Sequence, residues 1–353
     1  MNNKILIWSA DLSDYNGQAI VTRHILSKLK ISQIKVKKFI YPSFSGVLST
    51  LISIRKGVLF FFTSLLNQSS YSYIVCSRSV PGFFRDLPAL FLTPLKKRVI
   101  IHIHGSDITD LMQIPFLGLL VRYLYRHPLL IVPSRHLVDE LALLGVHNVT
   151  LLENFALMSQ SVSTPSVPKE NIRIIWNSNI ISSKGFFEFT EALFLLRSRN
   201  IDFIAIILGS PIGDEEKKEY EMKEYIESLK QYEWIRFYGS LPPEIAHNML
   251  KKSDIVVLPS RYRSECQPLS IIDAMCLGKK IVVSDTAALR STVGEYPAVF
   301  CDISSESVLK SILIAISSPK ISNEHANVAS QRFSVLRFDS LFQNIIDQNL
   351  SKR

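Results

Sequence analysis

Short β-branched runs alternate with longer segments of helical spacing through most of this chain. Ile5–Trp8, Lys35–Ile40, Tyr73–Cys76, Val99–His102, Leu129–Val132 and Val149–Leu152 read as strands. Between the first two, Asn16-Gly17-Gln18 leads into a helix through about Leu29. A second strand-helix series follows, with strands at Ile172–Trp176, Phe203–Leu208, Ile235–Tyr238, Ile255–Leu258 and Ile281–Val283. Such alternation predicts parallel sheets covered by helices, an α/β chain. Residues 157–171, rich in Ser and Pro and without periodicity, separate the two series as a linker. Residues Asp214–Lys230 read as a charged, solvated helix. Near the end, Val335 to Asn349 is amphipathic, with Leu336, Phe338, Leu341, Phe342, Ile345 and Ile346 on its apolar side.

The most informative stretch is SDIVVLPSRYRSECQPLSIIDAMCLGKKIVVSD, from Ser253 to Asp285. A buried strand gives way to a polar loop, Pro259 to Gln267. Pro268 then opens an apolar helix as a first-turn residue, and Gly278 ends it before the next strand. Glu265 in the loop and Asp273 on the helix stand eight positions apart. A helix start offers unpaired N–H groups and partial positive charge, a site for phosphate, with the backbone of Leu269 and Ser270 facing it. Carboxylates on either flank suit sugar hydroxyls, from which they accept hydrogen bonds. As plain surface acids, Glu265 and Asp273 would instead favour the helix dipole.

The ordered set Pro259, Ser260, Glu265, Asp273, Ala274, Met275 and Gly278 resembles the nucleotide-sugar site of retaining GT-B glycosyltransferases of the group 1 type. The family carries Glu where this chain has Asp273. The resemblance implies two Rossmann-like domains with parallel sheets facing a central cleft. Residues 1–160, joined by a C-terminal helix at about 335–353, would bind the acceptor, and residues 172–334 would bind the donor. It further implies a first acid, Glu265, on the donor sugar and a second, Asp273, on the ribose. Similar transferases place an Arg and a Lys five positions apart on the diphosphate. Lys184, followed by Gly185, matches the second, but the Arg position holds Asn179. Read without the family, Lys184 is a lysine at a helix start. With no Asp-x-Asp motif to hold a divalent ion, protein groups must stabilise the leaving diphosphate.

In VIIHIHGSDITDL, His102 and His104 lie two apart at a strand end and so share a face. They could begin a zinc site, although a core imidazole is the commoner fate for His102. His104 is similar to the strand-end histidine that reaches the donor sugar in these transferases. Asp107 could act on the acceptor hydroxyl or cap the following helix. Gly17 sits where similar proteins carry a glycine loop that lets backbone approach diphosphate or acceptor; a simple loop before a helix explains it as well.

Charge is uneven. Residues 1–165 hold 17 Lys and Arg against 8 Asp and Glu, and residues 166–353 hold 23 against 23, so the whole excess of +9 lies in the first half. No nucleic-acid module accompanies it. Arg55, Lys56, Arg78, Arg85 and Lys96–Arg98 stand among Phe60–Phe62 and Phe83–Phe84, a mixture that suits an anionic leaflet; a core helix with a basic solvated face is the alternative. The apolar run Gly57 to Leu66 is too short to span a bilayer. Four cysteines without CxxC spacing, and no signal-like opening, fit a cytoplasmic protein, peripheral at most to the inner face of the membrane. No GxGxxG opens a helix after an early strand, against a dinucleotide oxidoreductase. The expectation is a metal-independent transferase with no cofactor. It takes a nucleotide sugar as co-substrate and a glycan or lipid-linked acceptor, such as a surface-polysaccharide precursor. A non-catalytic sugar-nucleotide scaffold and an epimerase on the same fold are the alternatives.

Overall fold

The structure, a computed structural model, describes residues 4–13, 16–32, 34–42, 46–68, 70–96, 98–157 and 171–351. The chain divides into two compact units. One comprises Met1–Asn154 with Phe338–Arg353, and the other comprises Phe155–Arg337. The division therefore falls at 154/155 rather than at 160, and most of the expected linker, 158–170, lies outside the described residues.

The first unit holds strands β1 (Lys4–Ala10), β2 (Lys35–Tyr41), β3 (Tyr71–Val75), β4 (Val99–His102), β5 (Leu129–Val132) and β6 (Val149–Leu151). They form one parallel sheet in the order β2-β1-β3-β4-β5-β6. The second unit holds β7 (Ile172–Asn177), β8 (Phe203–Leu208), β9 (Ile235–Gly239), β10 (Ile255–Leu258), β11 (Lys280–Ser284) and β12 (Val299–Cys301). Its parallel order is β12-β11-β10-β7-β8-β9. Both sheets thus begin in the interior, build outward to one edge, then jump back and build toward the other. The jump leaves β1 beside β3 and β7 beside β10, and at such a switch point the loops from neighbouring strands diverge and open a crevice.

Burial follows the patterning closely. Trp8, Ile74, Ile100 and Leu130 in one sheet, and Ile174, Ile207, Val257 and Val282 in the other, are inaccessible or nearly so. Helices cover the central strands, which have no polar side to show to water, while the edge strand β2 exposes Lys35, Lys37 and Lys38. The last helix, Val335–Ser351, contributes Phe338 and Phe342 to the first unit. These rings stack at 6.4 Å, and Phe342 meets Tyr73 edge-on at 6.3 Å. Asp339 on the same helix binds His24 Nε2 at 2.7 Å and Lys28 Nζ at 2.9 Å. Leu336 departs from the expected apolar side and is 82% exposed, because the buried stripe runs through Phe338, Phe342, Ile345 and Ile346.

Two further expectations change. The charged helix starts at Glu219, not Asp214, and ends at Leu229. Asp214 Oδ1 accepts the N–H groups of Glu216 and Lys217, each at 2.9 Å, a local turn that competes with helix. The apolar run at 57–66 is the second half of a longer helix, Val47–Leu66, since neither Ser53 nor the pair Arg55-Lys56 breaks it. By length and composition that helix could cross a bilayer. In this fold its Gly57 packs where an added Cβ would stand 3.4 Å from both Trp8 and Pro88.

Behind Trp8 lies a buried carboxylate. Asp86 accepts from Trp8 Nε1 at 3.0 Å and Ser77 N at 2.7 Å, and pairs with Arg85 Nε at 2.9 Å. Burial raises its carboxyl above the usual range while Arg85 opposes the shift. Asp86→Ala would strand three donors and leave the arginine without its partner. Urea denaturation should show a loss of about 3 kcal/mol; a loss below about 1 kcal/mol would mean the network contributes little.

Candidate active site

In the second unit the switch point brings together the loops that leave β7 and β10. After β7 the chain passes Ser178 and Asn179, makes a 3-10 turn at Ser182–Lys184, and enters the helix Phe186–Ser198 through Gly185. Gly185 has φ +81°, and a Cβ there would stand 2.2 Å from the carbonyl oxygen of Pro259. Only glycine allows both that backbone turn and the approach of the β10 loop. The contact places Lys184 Nζ 3.2 Å from Glu265 Oε2, with both side chains largely enclosed at 13% and 12% exposure. Lys184 also donates to Ser178 Oγ at 2.8 Å and sits 5.5 Å from the Tyr262 ring centroid. Ser260 Oγ donates to Glu265 Oε2 at 3.4 Å and accepts from Tyr262 N at 3.2 Å. One cation and one carboxylate, 81 positions apart in sequence, therefore form a single site.

Arg261 fastens this loop. It chelates Glu216 through Nε at 2.9 Å and Nη2 at 2.6 Å, and reaches Glu188 with Nη1 at 2.6 Å. Its hydrogen bonds hold the Glu216 carboxyl below the usual range. Ser182 Oγ donates to Glu216 at 2.7 Å, and Ser183 N donates to Asp214 at 2.8 Å. Arg261 and Glu216 lie in stretches that read from sequence only as a polar loop and a charged helix, and Glu188 stands in the helix after Lys184-Gly185. Their local spacing carries no signal of a pairing with partners 45 and 73 residues away.

The helix after the β10 loop runs Leu269–Cys276, with Pro268 as its cap rather than its first turn. Ile271 and Ile272 turn their N–H groups back to Pro268 O at 3.1 and 3.2 Å. Leu269 and Ser270, in the first turn, have no intrahelical acceptor. Gly278, φ +63°, ends the segment. Asp273 is 4% exposed and accepts Leu157 N–H at 2.8 Å. Burial lifts its carboxyl to about 7 and the Leu157 bond lowers it only in part. Asn179 is half-buried at the end of β7. The loop after β8 lies against it, since a Cβ on Gly209 would fall 2.0 Å from Ser178 O and 3.0 Å from Asn179 Cα.

In the first unit the expected residues also gather at carboxyl ends of adjacent strands. Asn16 caps the helix Gly17–Ile31 by accepting from Ala19 N at 2.9 Å, leaving Gly17 exposed in its first turn. Arg78, following β3, donates to Gln18 Oε1 at 3.3 Å and pairs with Asp107 Oδ1 at 2.6 Å. Asp107 stands at the start of the helix Ile108–Gln113 without a side-chain capping bond, because Arg78 takes its carboxylate. Gly105 permits this, as a Cβ there would stand 2.5 Å from Arg78 Nε. The rings of His102 and His104 lie 3.9 Å apart. His102 is fully buried, 2.6 Å from the Tyr73 hydroxyl, and burial pushes it down to about 3. Burial, then His102 and Arg78, pushes His104 well below 6.5 as well. Both are thus neutral imidazoles near neutral pH. His104 Nε2 is shut off from water and makes no hydrogen bond to a described residue. Among the described residues no group of three His, Cys, Asp or Glu could share a metal ion.

Residues 162–332 match the family model for glycosyl transferases group 1. This half of the chain belongs to that family, and the chain is a glycosyltransferase. No curated protein matches it by sequence. Among solved structures it is similar to sucrose-phosphate synthase from Thermosynechococcus elongatus, at 13% identity and TM-score 0.76 with each chain covered completely. A glycosyltransferase from Rickettsia africae gives 13% identity and TM-score 0.69, again over the whole of both chains. Anabaena HepE in complex with UDP-glucose gives 16% and 0.70, over 98% of this chain and 99% of that one. The fold is accordingly GT-B, two Rossmann-like domains.

The raised Asp273 carboxyl sets a pH dependence. Folded Asp273 holds its proton more tightly than the unfolded residue, whose value lies near 3.9. The contribution of Asp273 to stability is therefore fully present below the unfolded value, falls as pH rises from about 4 to about 7, and levels off above. Asp273→Asn keeps an acceptor for Leu157 and removes the ionisation. Thermal melts across pH 4–8 should show a flatter profile, with the variant more stable than the parent by about 2–4 kcal/mol above pH 7; parallel profiles would mean the carboxylate is solvated.

Proposed function

We propose that the chain is a metal-independent, retaining glycosyltransferase that moves a sugar from a nucleotide-sugar donor to a lipid-linked or surface-polysaccharide acceptor. The Lys184–Glu265 pair at the β7/β10 switch point, inside the half that matches the family, carries this reading. A sugar donor presents hydroxyls and a diphosphate together, and the site offers a carboxylate for one and an ammonium for the other. Glu265 accepts from hydroxyls of the donor sugar. Lys184, with the first-turn N–H groups of Leu269 and Ser270, takes the charge that develops on the departing diphosphate. Asp273 is assigned to the ribose and Asn179 to the diphosphate flank.

In the first unit, neutral His104 is assigned to a sugar hydroxyl, with Asp107 and Gly17 near the acceptor. No carboxylate serves as nucleophile in this scheme. The acceptor oxygen attacks from the face the diphosphate leaves, and its proton passes to the leaving phosphate. Support for the donor class comes from neighbours of the same fold. HepE has been solved with UDP-glucose, and a trehalose-6-phosphate protein from E. coli with UDP-2-fluoro glucose. For the acceptor class, a neighbour of TM-score 0.65 and 15% identity is the lipopolysaccharide outer core galactosyltransferase WaaB. The basic first unit is assigned to the inner face of the cytoplasmic membrane, beside such an acceptor. Asn179 favours one rival, a subunit that binds sugar nucleotide without turnover, because it leaves the diphosphate one cation short of the related transferases.

A thermal-shift panel of nucleotide sugars should find one donor that stabilises the fold, and slow hydrolysis of that donor separates enzyme from binding subunit. Glu265→Ala should lower transfer by at least about 100-fold while the chain stays folded by circular dichroism; near-normal transfer would displace the donor from this site. Lys184→Ala should weaken nucleoside diphosphate binding by about 10- to 100-fold, whereas equal affinity by calorimetry would move the anion elsewhere.

A further inference from the structure

The helix Val47–Leu66 is amphipathic the wrong way round for a helix of a soluble domain. Its buried side is small and mostly polar: Ser49, Ser53, Gly57 and Ser64, with Phe60 as the one large side chain. Its exposed side is large and apolar. Val47 is 79% and Leu66 82% exposed, and Leu48, Leu51, Val58 and Phe62 lie between them on the same side. At 100° per residue these centre opposite the Ser49–Ser64 stripe. The helix extends about 30 Å, so the apolar face is much longer than the scattered single residues an ordinary surface shows.

We propose that this face lies in the interfacial layer of a bilayer containing anionic lipid. The inference deepens the membrane attachment of the proposed function, and rests on that reading for where the acceptor is found. Three observations select lipid. Residues 15–85 contain ten Lys and Arg and no Asp or Glu, so nothing in this stretch repels an anionic surface. Arg55 is exposed on the apolar side itself, four residues after Leu51, and Lys35, Lys37 and Lys38 are exposed on β2, an edge strand that packs near this helix. A second copy docked through this face would set Arg55 and its neighbours against their own equivalents. Long basic side chains beside an apolar stripe instead place charge among headgroups and carbon among acyl chains.

The helix does not cross the bilayer in this arrangement. Its other side is part of the fold, where Gly57 lies against Trp8 and Pro88 and Lys56 Nζ donates to Ile40 O at 2.6 Å. The attachment also differs from the basic-aromatic mixture the sequence suggests. Phe60 and Phe83 are buried, Lys97 lies outside the described residues, and Lys96 is buried on Ser64 O and Asn67 O at 3.0 and 3.1 Å. Arg78 and Arg85 pair with Asp107 and Asp86. The adhesive surface is the Leu51–Phe62 side of one helix, with Arg55 as its cation.

Flotation of the full chain with phosphatidylcholine vesicles, with and without 30 mol% phosphatidylglycerol as probes, tests this. Binding should favour the anionic vesicles and weaken with salt, keeping an apolar remainder at high salt. Leu51→Ser with Phe62→Ser should lower partitioning at least tenfold, and Arg55→Ser about fivefold on anionic vesicles only. Equal partitioning of parent and double variant overturns the proposal. So does a parent that ignores vesicles and forms a dimer, seen by light scattering, which the double variant loses. The same double variant should keep the parent's melting-temperature shift with its nucleotide-sugar donor. If no donor shifts either protein while flotation behaves as stated, the enzymatic reading fails and the membrane face stands.

Discussion

The approach of two loops at Gly185 governs the second unit. The turn there needs a left-handed residue, and the carbonyl of Pro259 occupies the place where a side chain would begin. Once the loops from β7 and β10 are that close, the ammonium of Lys184 and the carboxylate of Glu265 must meet. Arg261, clamped on Glu188 and Glu216, then holds the Tyr262 and Ser260 part of the loop in register with them. An enclosed pair of opposite charges is a poor source of stability, since much of its attraction is spent on desolvation. It is a good store of binding capacity. A ligand that brings its own anion and its own hydroxyls can exchange the internal pair for two external ones without leaving either charge uncompensated.

The first unit repeats the arrangement with different chemistry. Its switch point lies between β1 and β3, and the arginine following β3 ties Gln18 to Asp107, while the neutral imidazoles of His102, at the end of β4, and His104 lie 3.9 Å apart and tilted to one another. Asp107 is already neutralised by Arg78, and His104 offers a dry, uncharged nitrogen. The same topological rule thus places different side-chain chemistry at the two switch points, a lysine–glutamate pair in one unit and an arginine–aspartate pair beside two imidazoles in the other.

The helix Val47–Leu66 adds a third constraint. A soluble fold gains from turning leucines inward, and this one turns serines and a glycine inward and leaves leucines in water. Close packing of small residues on Trp8 and Pro88 fixes the helix in place. The exposed apolar side is then a surface available to something outside the fold, and the absence of Asp and Glu from residues 15–85 narrows what that something is.

Most strand positions were legible because a strand buried on both faces must be apolar without interruption, whereas β12, three residues long and only partly buried, was not read. Glu265, Asp273 and Gly278 were legible because their spacing along one loop and helix is local. Strand order was not, since it depends on which crossovers turn back, and that decision placed Lys184 on Glu265 rather than on another acid. Nor was the burial of Asp273, whose backbone partner comes from a residue 116 positions earlier. The long apolar helix hid for a related reason. Serines and a cation pair among its leucines look like breaks in an apolar run, and only packing reveals that the polar side faces in. Local sequence fixes what can be buried, while long-range contacts choose which side is.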